Sequence, residues 1–341
     1  MAAIFAVSLL AVLKIFLVAA AGTWLARHGV MTKPFRRGLS RVVLLVMLPG
    51  LLVSKLSSAI DIQNLLRWSM LPLAALLYVS VGMLVGEAAY RCSGSPPSVR
   101  RVVRAATAFG NSGYLPFPLV VSIAATVPLF QNDPGAADRG IAYVSVYLMC
   151  FTPLLWGLGF PYLANEPLGH LKWRQVLSPP VLSVITGIVL GVVGPLRSLI
   201  VEPGAPLRVV MDAAELAGAG VIPCALLILG ANLADVDGHS DDIGARAILA
   251  VGLGRFLILP ALACVFVVLL RRWQLIPADP MFALVLLIEA STPAATNLIV
   301  MCQVHHRGEG AMSKLLFWNY MAAVPVLTLL LAVFLALVTA S

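Results

Sequence analysis

The chain has 341 residues, of which 60% are hydrophobic and 11% charged, with a mean hydropathy of +0.98. Water-soluble domains hold roughly 45–50% apolar and about 25% charged residues, so an ordinary soluble globule is excluded and the bilayer is the solvent. The net charge of +8 does not point to nucleic acid, because most Lys and Arg lie in short segments between apolar runs, where they orient helices and meet anionic headgroups.

Spanning a bilayer takes about 20 mostly apolar residues, and ten such segments are predicted. The first five cover 2–27, 39–56, 69–90, 102–128 and 141–163. The second five cover 177–196, 209–234, 245–270, 281–303 and 311–340. The first run lacks a basic leader and contains Lys14, so it reads as a retained span rather than a cleaved signal peptide. Segments four, seven and nine carry Pro, Gly or Asn near their middles and are predicted to be discontinuous. The longest polar connection is the short stretch 164–178, which divides the chain into two five-helix halves, 1–163 and 179–341.

Loop charge sets the orientation. The loops after segments 1, 3, 5, 7 and 9 gather most of the basic residues, beginning with Arg27, Lys33, Arg36, Arg37 and Arg41. The positive-inside rule then puts both termini on the non-cytoplasmic side. An odd number of spans per half makes the halves insert in opposite senses. Pro49 and Pro223, Pro153 and Pro325, and the fourth and ninth segments recur in the same order. The expected fold is all-α, a 5+5 inverted repeat with broken, crossing helices four and nine. Such paired interruptions point to a transport site near the midplane.

The fourth segment carries Gly110-Asn111-Ser112-Gly113-Tyr114-Leu115-Pro116-Phe117-Pro118. Pro116 and Pro118 remove two backbone donors, and Gly110 and Gly113 loosen the helix further. Irregular backbone at membrane depth is tolerated only inside protein or beside a water-filled cavity. Asn111, Ser112 and the freed peptide groups therefore face an internal site, or they cap a proline kink. The ninth segment carries Glu289-Ala290-Ser291-Thr292-Pro293-Ala294-Ala295-Thr296-Asn297. Pro293 breaks it, Ser291 and Thr292 can cap, and Asn297 follows by one turn. Two half-helix N-termini brought together favour a carboxylate without burying a full positive charge. The cargo expected is a small, partly apolar organic anion.

Three ionisable residues lie within spans: Lys14, Arg255 and Glu289. Each costs about 2.5–3.5 kcal/mol at mid-membrane, so an internal partner is expected. Lys14 is either a counter-charge for the anion or a snorkelling or structural cation. Arg255 reads as a packing and hydrogen-bonding post. Glu289 is either a proton-coupling carboxylate or a partner for Arg255 or Lys14. Asp212 and Glu215 can share one interfacial helix face, and His305-His306 is interfacial rather than a metal pair. Asp235, Asp237, Asp241 and Asp242 lack the spacing and terminal Glu of a calcium loop. The five cysteines are scattered, which suits free thiols rather than disulfides or a metal site. No cofactor is expected, and no nucleotide-binding or hydrolase motif supports a pump or an enzyme.

Taken together, these stretches resemble the auxin efflux carrier family, and within it the PIN-LIKES branch. The resemblance is carried by the fourth-segment break at Gly110–Pro116 and by Val221-Ile222-Pro223-Cys224 with Gly230-Ala231-Asn232-Leu233. It is carried also by Gly254-Arg255-Phe256-Leu257-Ile258-Leu259-Pro260, by Pro293-Ala294-Ala295-Thr296-Asn297 and by Leu315-Leu316-Phe317-Trp318-Asn319-Tyr320. The family implies helices four and nine crossing at Pro116 and Pro293, with Asn111 and Asn297 as carboxylate contacts. It implies alternating access for an anion such as indole-3-acetic acid, and for this branch the endoplasmic reticulum membrane, with the plasma membrane as alternative. Substrate contacts on this reading are Asn111, Ser112, Gly113, Pro116, Pro118, Ser291, Thr292, Pro293 and Asn297. Partners are the lipid bilayer, the anion and, left open, a second copy in a homodimer. The short 164–178 connection replaces the long loop of the plasma-membrane carriers. Glu289 stands where the family commonly has a neutral residue. Alternatives are a proton-coupled dicarboxylate or other organic-acid permease and, from another class, a channel or ligand-sensing receptor.

Overall fold

A computed structural model describes residues 2–60, 66–165, 178–235, 243–305 and 307–340. These residues are almost entirely helical. In chain order the elements are α1 (Ala2–Arg27), α2 (Lys33–Ala59), α3 (Leu66–Ser93), α4 (Arg100–Ala108), α5 (Pro116–Thr126) and α6 (Ala136–Ala164). They continue with α7 (Pro179–Val192), α8 (Arg208–Leu233), α9 (Ala245–Arg272), α10 (Pro280–Ser291), α11 (Asn297–His305) and α12 (Glu309–Ala340).

Seven helices, α1, α2, α3, α6, α8, α9 and α12, are long and apolar enough to cross a membrane. An eighth crossing arises if α7 is joined to the helical stretch Gly194–Val201, from which it is bent by 95°. That bend corrects the expectation of a plain sixth span. Gly194 and Pro195 follow directly on Val193, whose backbone is extended, and a proline cannot continue the hydrogen-bond ladder behind it. The seventh segment, expected to break, passes through only a two-residue turn at Ala219 and Gly220 and remains one apolar run.

Outward-facing side chains are apolar, with Leu66 at 81% and Leu216 at 80% exposure. Such a surface is unfavourable in water and suited to acyl chains. Inside, α10 is buried on every side from Met281 to Ser291, which marks it as the central element. At 11 and 12 residues, α5 and α10 are about 17–18 Å long, roughly half of the hydrocarbon thickness. Both begin with proline, whose fixed φ suits the first helical turn. Each is the second or first part of an interrupted pair, α4–α5 and α10–α11, and these two interruptions meet in the interior.

Ion pairs tie the helix ends together at the rims. Arg36 at the start of α2 is buried and donates to Ala231 O at 2.6 Å, with Asp235 beside it at 2.5 Å. Arg139 on α6 holds Asp133 at 2.5 Å and Asp279 at 2.8 Å. Asp212 and Glu215 share a face as expected, meeting Arg208, and Glu215 also lies 3.7 Å from Lys55. Asp237, Asp241, Asp242, His306 and most of the 164–178 connection lie outside the described residues. All five cysteines are free thiols.

Candidate functional site

The first interruption runs from 109 to 115, between α4 and α5, and the second from 292 to 296, between α10 and α11. Proline at 116, 118 and 293 deprives each chain of the donors that a helix requires, so the freed peptide groups need partners elsewhere. They find one another. Asn111 N donates to Pro293 O at 2.8 Å, and Ala295 N donates to Phe109 O at 2.9 Å, an antiparallel bridge centred on Gly110 and Ala294.

Gly110 permits this approach. A β-carbon there would stand 2.1 Å from Arg255 Nη2 and 2.4 Å from Thr292 Oγ1, well inside contact distance. Arg255 sits in a widened π-helical turn of α9, ahead of Pro260, where the helix has already given up regular bonding. Its Nε donates to Thr292 O at 2.9 Å and its Nη1 to Thr107 O at 3.2 Å. Its Nη2 donates to Thr292 Oγ1 at 3.1 Å and also to Thr292 O. One buried guanidinium thus clamps both interruptions, in keeping with its reading as a post.

Further side chains lock the bridge. Asn319 Oδ1 accepts from Ala294 N at 2.8 Å. Asn111 Nδ2 donates to Tyr320 Oη at 2.5 Å, while its Oδ1 accepts from Tyr114 N at 3.0 Å. Ser291 is spent locally, its hydroxyl donating back to Leu287 O and Ile288 O at 3.0 Å each. Asn319, Tyr320 and Thr107 were not among the residues expected at the site. The available signal was polarity inside long apolar helices, most plainly the Asn319-Tyr320 pair in α12.

Beside the bridge lies a cavity of about 120 Å³. Asn111, Ser112, Gly113 and Tyr114 line it from the first interruption, Ala295 from the second and Asn297 from the start of α11. Leu148, Phe151 and Trp156 of α6, Val43 and Leu48 of α2, and Val221 and Ala225 of α8 supply apolar walls. Asn297 is half-buried, and its amide makes no hydrogen bond among the described residues. Among the described residues no charged side chain lines the cavity. Its chemistry is that of an apolar slot with an amide and backbone dipoles at one end. A larger hollow of about 390 Å³ lies toward the start of α6, between Asp133, Arg139, Tyr143 and Asp279. There the Arg139 guanidinium holds the Asp133 carboxyl below its ordinary range, chiefly by hydrogen bonding.

Of the expected contacts, Asn111, Ser112, Gly113 and Asn297 face the cavity, whereas Pro116, Pro118, Ser291, Thr292 and Pro293 are buried behind it and do not line it. Lys14 stands apart, exposed on α1 and donating to Thr126 Oγ1 at 3.1 Å. Glu289 is 2% exposed, one turn before the second interruption, and among the described residues neither carboxyl oxygen accepts a hydrogen bond. The expectation that it pairs with Arg255 or Lys14 is overturned. Arg255 spends its donors on Thr292 and Thr107, and Lys14 lies with Thr126.

The chain matches the family model described as membrane transport protein over residues 7–167 and 163–331. It is 25% identical over 383 residues to Protein PIN-LIKES 5 of Arabidopsis thaliana, covering 96% of each chain. It is 26% identical over 365 residues to Protein PIN-LIKES 1 of the same plant, covering 94% of this chain and 77% of the relative. A transporter of Saccharomyces cerevisiae named as uncharacterized is 23% identical over 386 residues, with 91% of this chain and 90% of the relative covered. With its apolar helices, its buried interruptions and this family match, the chain belongs to the membrane transport protein family, as an integral membrane protein similar to the PIN-LIKES proteins.

Proposed function

We propose that this protein is a secondary transporter of a small organic anion, with indole-3-acetic acid as the best candidate, working by alternating access around the two joined interruptions. The carrying observation is the apolar cavity that opens on the bridge between Gly110 and Ala294, with the uncommitted Asn297 amide at its polar end. In this reading ten spans form a 5+5 inverted repeat, 1–163 and 179–341 joined through 164–178, and the interrupted helices four and nine cross at Pro116 and Pro293. Both termini lie on the non-cytoplasmic side, the membrane is that of the endoplasmic reticulum, and a homodimer is compatible with the apolar outer surface. A negative cytoplasmic potential favours export of a monoanion that moves without a counter-charge by about 2.3 kcal/mol per 100 mV. Asn297, rather than Asn111, is the principal carboxylate contact, because both ends of the Asn111 amide are already engaged.

The test is flux in liposomes loaded with purified protein, comparing labelled indole acetate with malate at two pH values. Expected is saturable uptake of indole acetate and little of malate. Asn297→Ala removes a hydrogen bond to a charged group, worth about 1.5–3 kcal/mol, and so lowers uptake by about tenfold or more with the fold intact. Absence of flux for either compound in a folded preparation sinks the proposal. A second reading, proton-linked movement of an organic acid, is favoured by the unpartnered Glu289 carboxyl.

A further inference from the structure

The interior beside the bridge holds more polar groups than it satisfies. Both oxygens of Glu289, the Ser112 hydroxyl in the first interruption, the Thr296 hydroxyl in the second and the Tyr78 hydroxyl on α3 are buried without hydrogen-bond partners among the described residues. Ser112 lies close to the Glu289 carboxyl without reaching hydrogen-bond geometry. The titratable and charged groups around Glu289 are few. Tyr78 faces it from α3, Tyr147 from α6 and Arg255 from α9. Farther off, Cys264 on α9 lies near Tyr78, and Tyr320 on α12 lies near Arg255. The α5 helix presents no titratable side chain to it.

An ionised carboxylate buried with no donor and no ion pair is untenable in so apolar a setting, and the group neutralises instead. We propose that Glu289 is a proton-binding site, occupied in this conformation, whose proton and the transported anion bind together. This rests on the transporter reading and specifies its coupling.

The charge bookkeeping follows from position. Arg255 forms no ion pair among the described residues and is solvated by carbonyl and hydroxyl dipoles, which leave its charge in place. With Glu289 protonated, the region behind the bridge carries one net positive charge, and a monocarboxylate in the cavity balances it. With Glu289 ionised, Arg255 is already balanced and a second anion is repelled. Proton and anion therefore favour one another, and by linkage each strengthens the other's binding by the same factor. Release also has a structural route. Ser112 belongs to the chain segment that lines the cavity, so a shift of that segment can bring its hydroxyl to donate to Glu289. The O–H bond of the acid then breaks, its electron pair stays on the carboxylate, and the proton passes to water on the open side.

Two measurements on the whole purified protein decide the matter. Infrared spectra read the carbonyl stretch of a protonated carboxylic acid without any ligand. Wild type is expected to show one that is absent from Glu289→Gln. Equilibrium binding of labelled indole-3-acetate, read across pH, is expected to weaken by at least about tenfold toward alkaline pH in wild type, and to keep its acid-side strength at every pH in Glu289→Gln. A protonated-carboxyl band that persists in Glu289→Gln overturns the proposal, as does unaltered pH dependence in that variant. A wild-type spectrum with no such band overturns it alone, whether or not the variant folds. Failure of indole acetate to bind at any pH removes that substrate, while the infrared result still reads the proton on Glu289.

Discussion

Arg255 shows how much a single residue does here. Its guanidinium makes four hydrogen bonds, to two carbonyl groups and one hydroxyl of the interrupted helices, and it forms no ion pair among the described residues. Replacing it with Met strands Thr292 O and Thr107 O in an apolar interior, so Arg255→Met is expected to cost about 1.5–3 kcal/mol, read as a lowered melting temperature in detergent. Lys keeps the charge but lacks the planar fork that serves both interruptions at once, so Arg255→Lys recovers only part of the loss. At the rim, Asp133 offers a pH test. Its folded carboxyl is held below the unfolded value by Arg139, so its contribution is present above the unfolded value and is lost as pH falls through the lowered folded value. Melting temperature measured against pH is expected to fall less on the acid side in Asp133→Asn than in wild type.

Among elements, the contact of α1 with α8 depends on absent side chains. Thr23 Oγ1 donates to Gly230 O at 2.7 Å, and a β-carbon on Gly230 would stand 1.6 Å from Ala19 O. Membrane helices gain from close backbone approach because no hydrophobic force separates protein from lipid, so packing must supply the attraction. Gly230→Ala is expected to push α1 off α8 and to cost about 1–3 kcal/mol, seen as a lower melting temperature and yield. Gly113, with nothing within 4 Å of its missing β-carbon, is expected to accept Ala with its stability unchanged. The pair is a control for one another, since both glycines lie in interrupted or closely packed helices and only one is crowded. The interruptions themselves were legible in the chain, because proline removes a donor wherever it stands. The 95° bend after α7 has its local signal in Gly194-Pro195, but its angle depends on the packing around it.

For the whole molecule, the proposed orientation has the end of α3 on the cytoplasmic side, where Cys92 is exposed. In a variant with the other four cysteines replaced by Ala, a membrane-impermeant maleimide is expected to label Cys92 only from the cytoplasmic face. Labelling from the opposite face reverses the orientation. Composition alone determined that the solvent is lipid, and proline and glycine positions alone determined where helices must stop, because both are properties of a residue and its neighbours. What only the tertiary structure decided depends on which helix faces which. Residues more than 180 positions apart bond through Asn111 and Pro293, Asn297 keeps a free amide while that of Asn111 is committed, and Lys14 turns away to Thr126. Glu289 is left with no hydrogen-bond partner among the described residues. A sequence places a carboxyl at a depth, but only packing determines whether any donor reaches it.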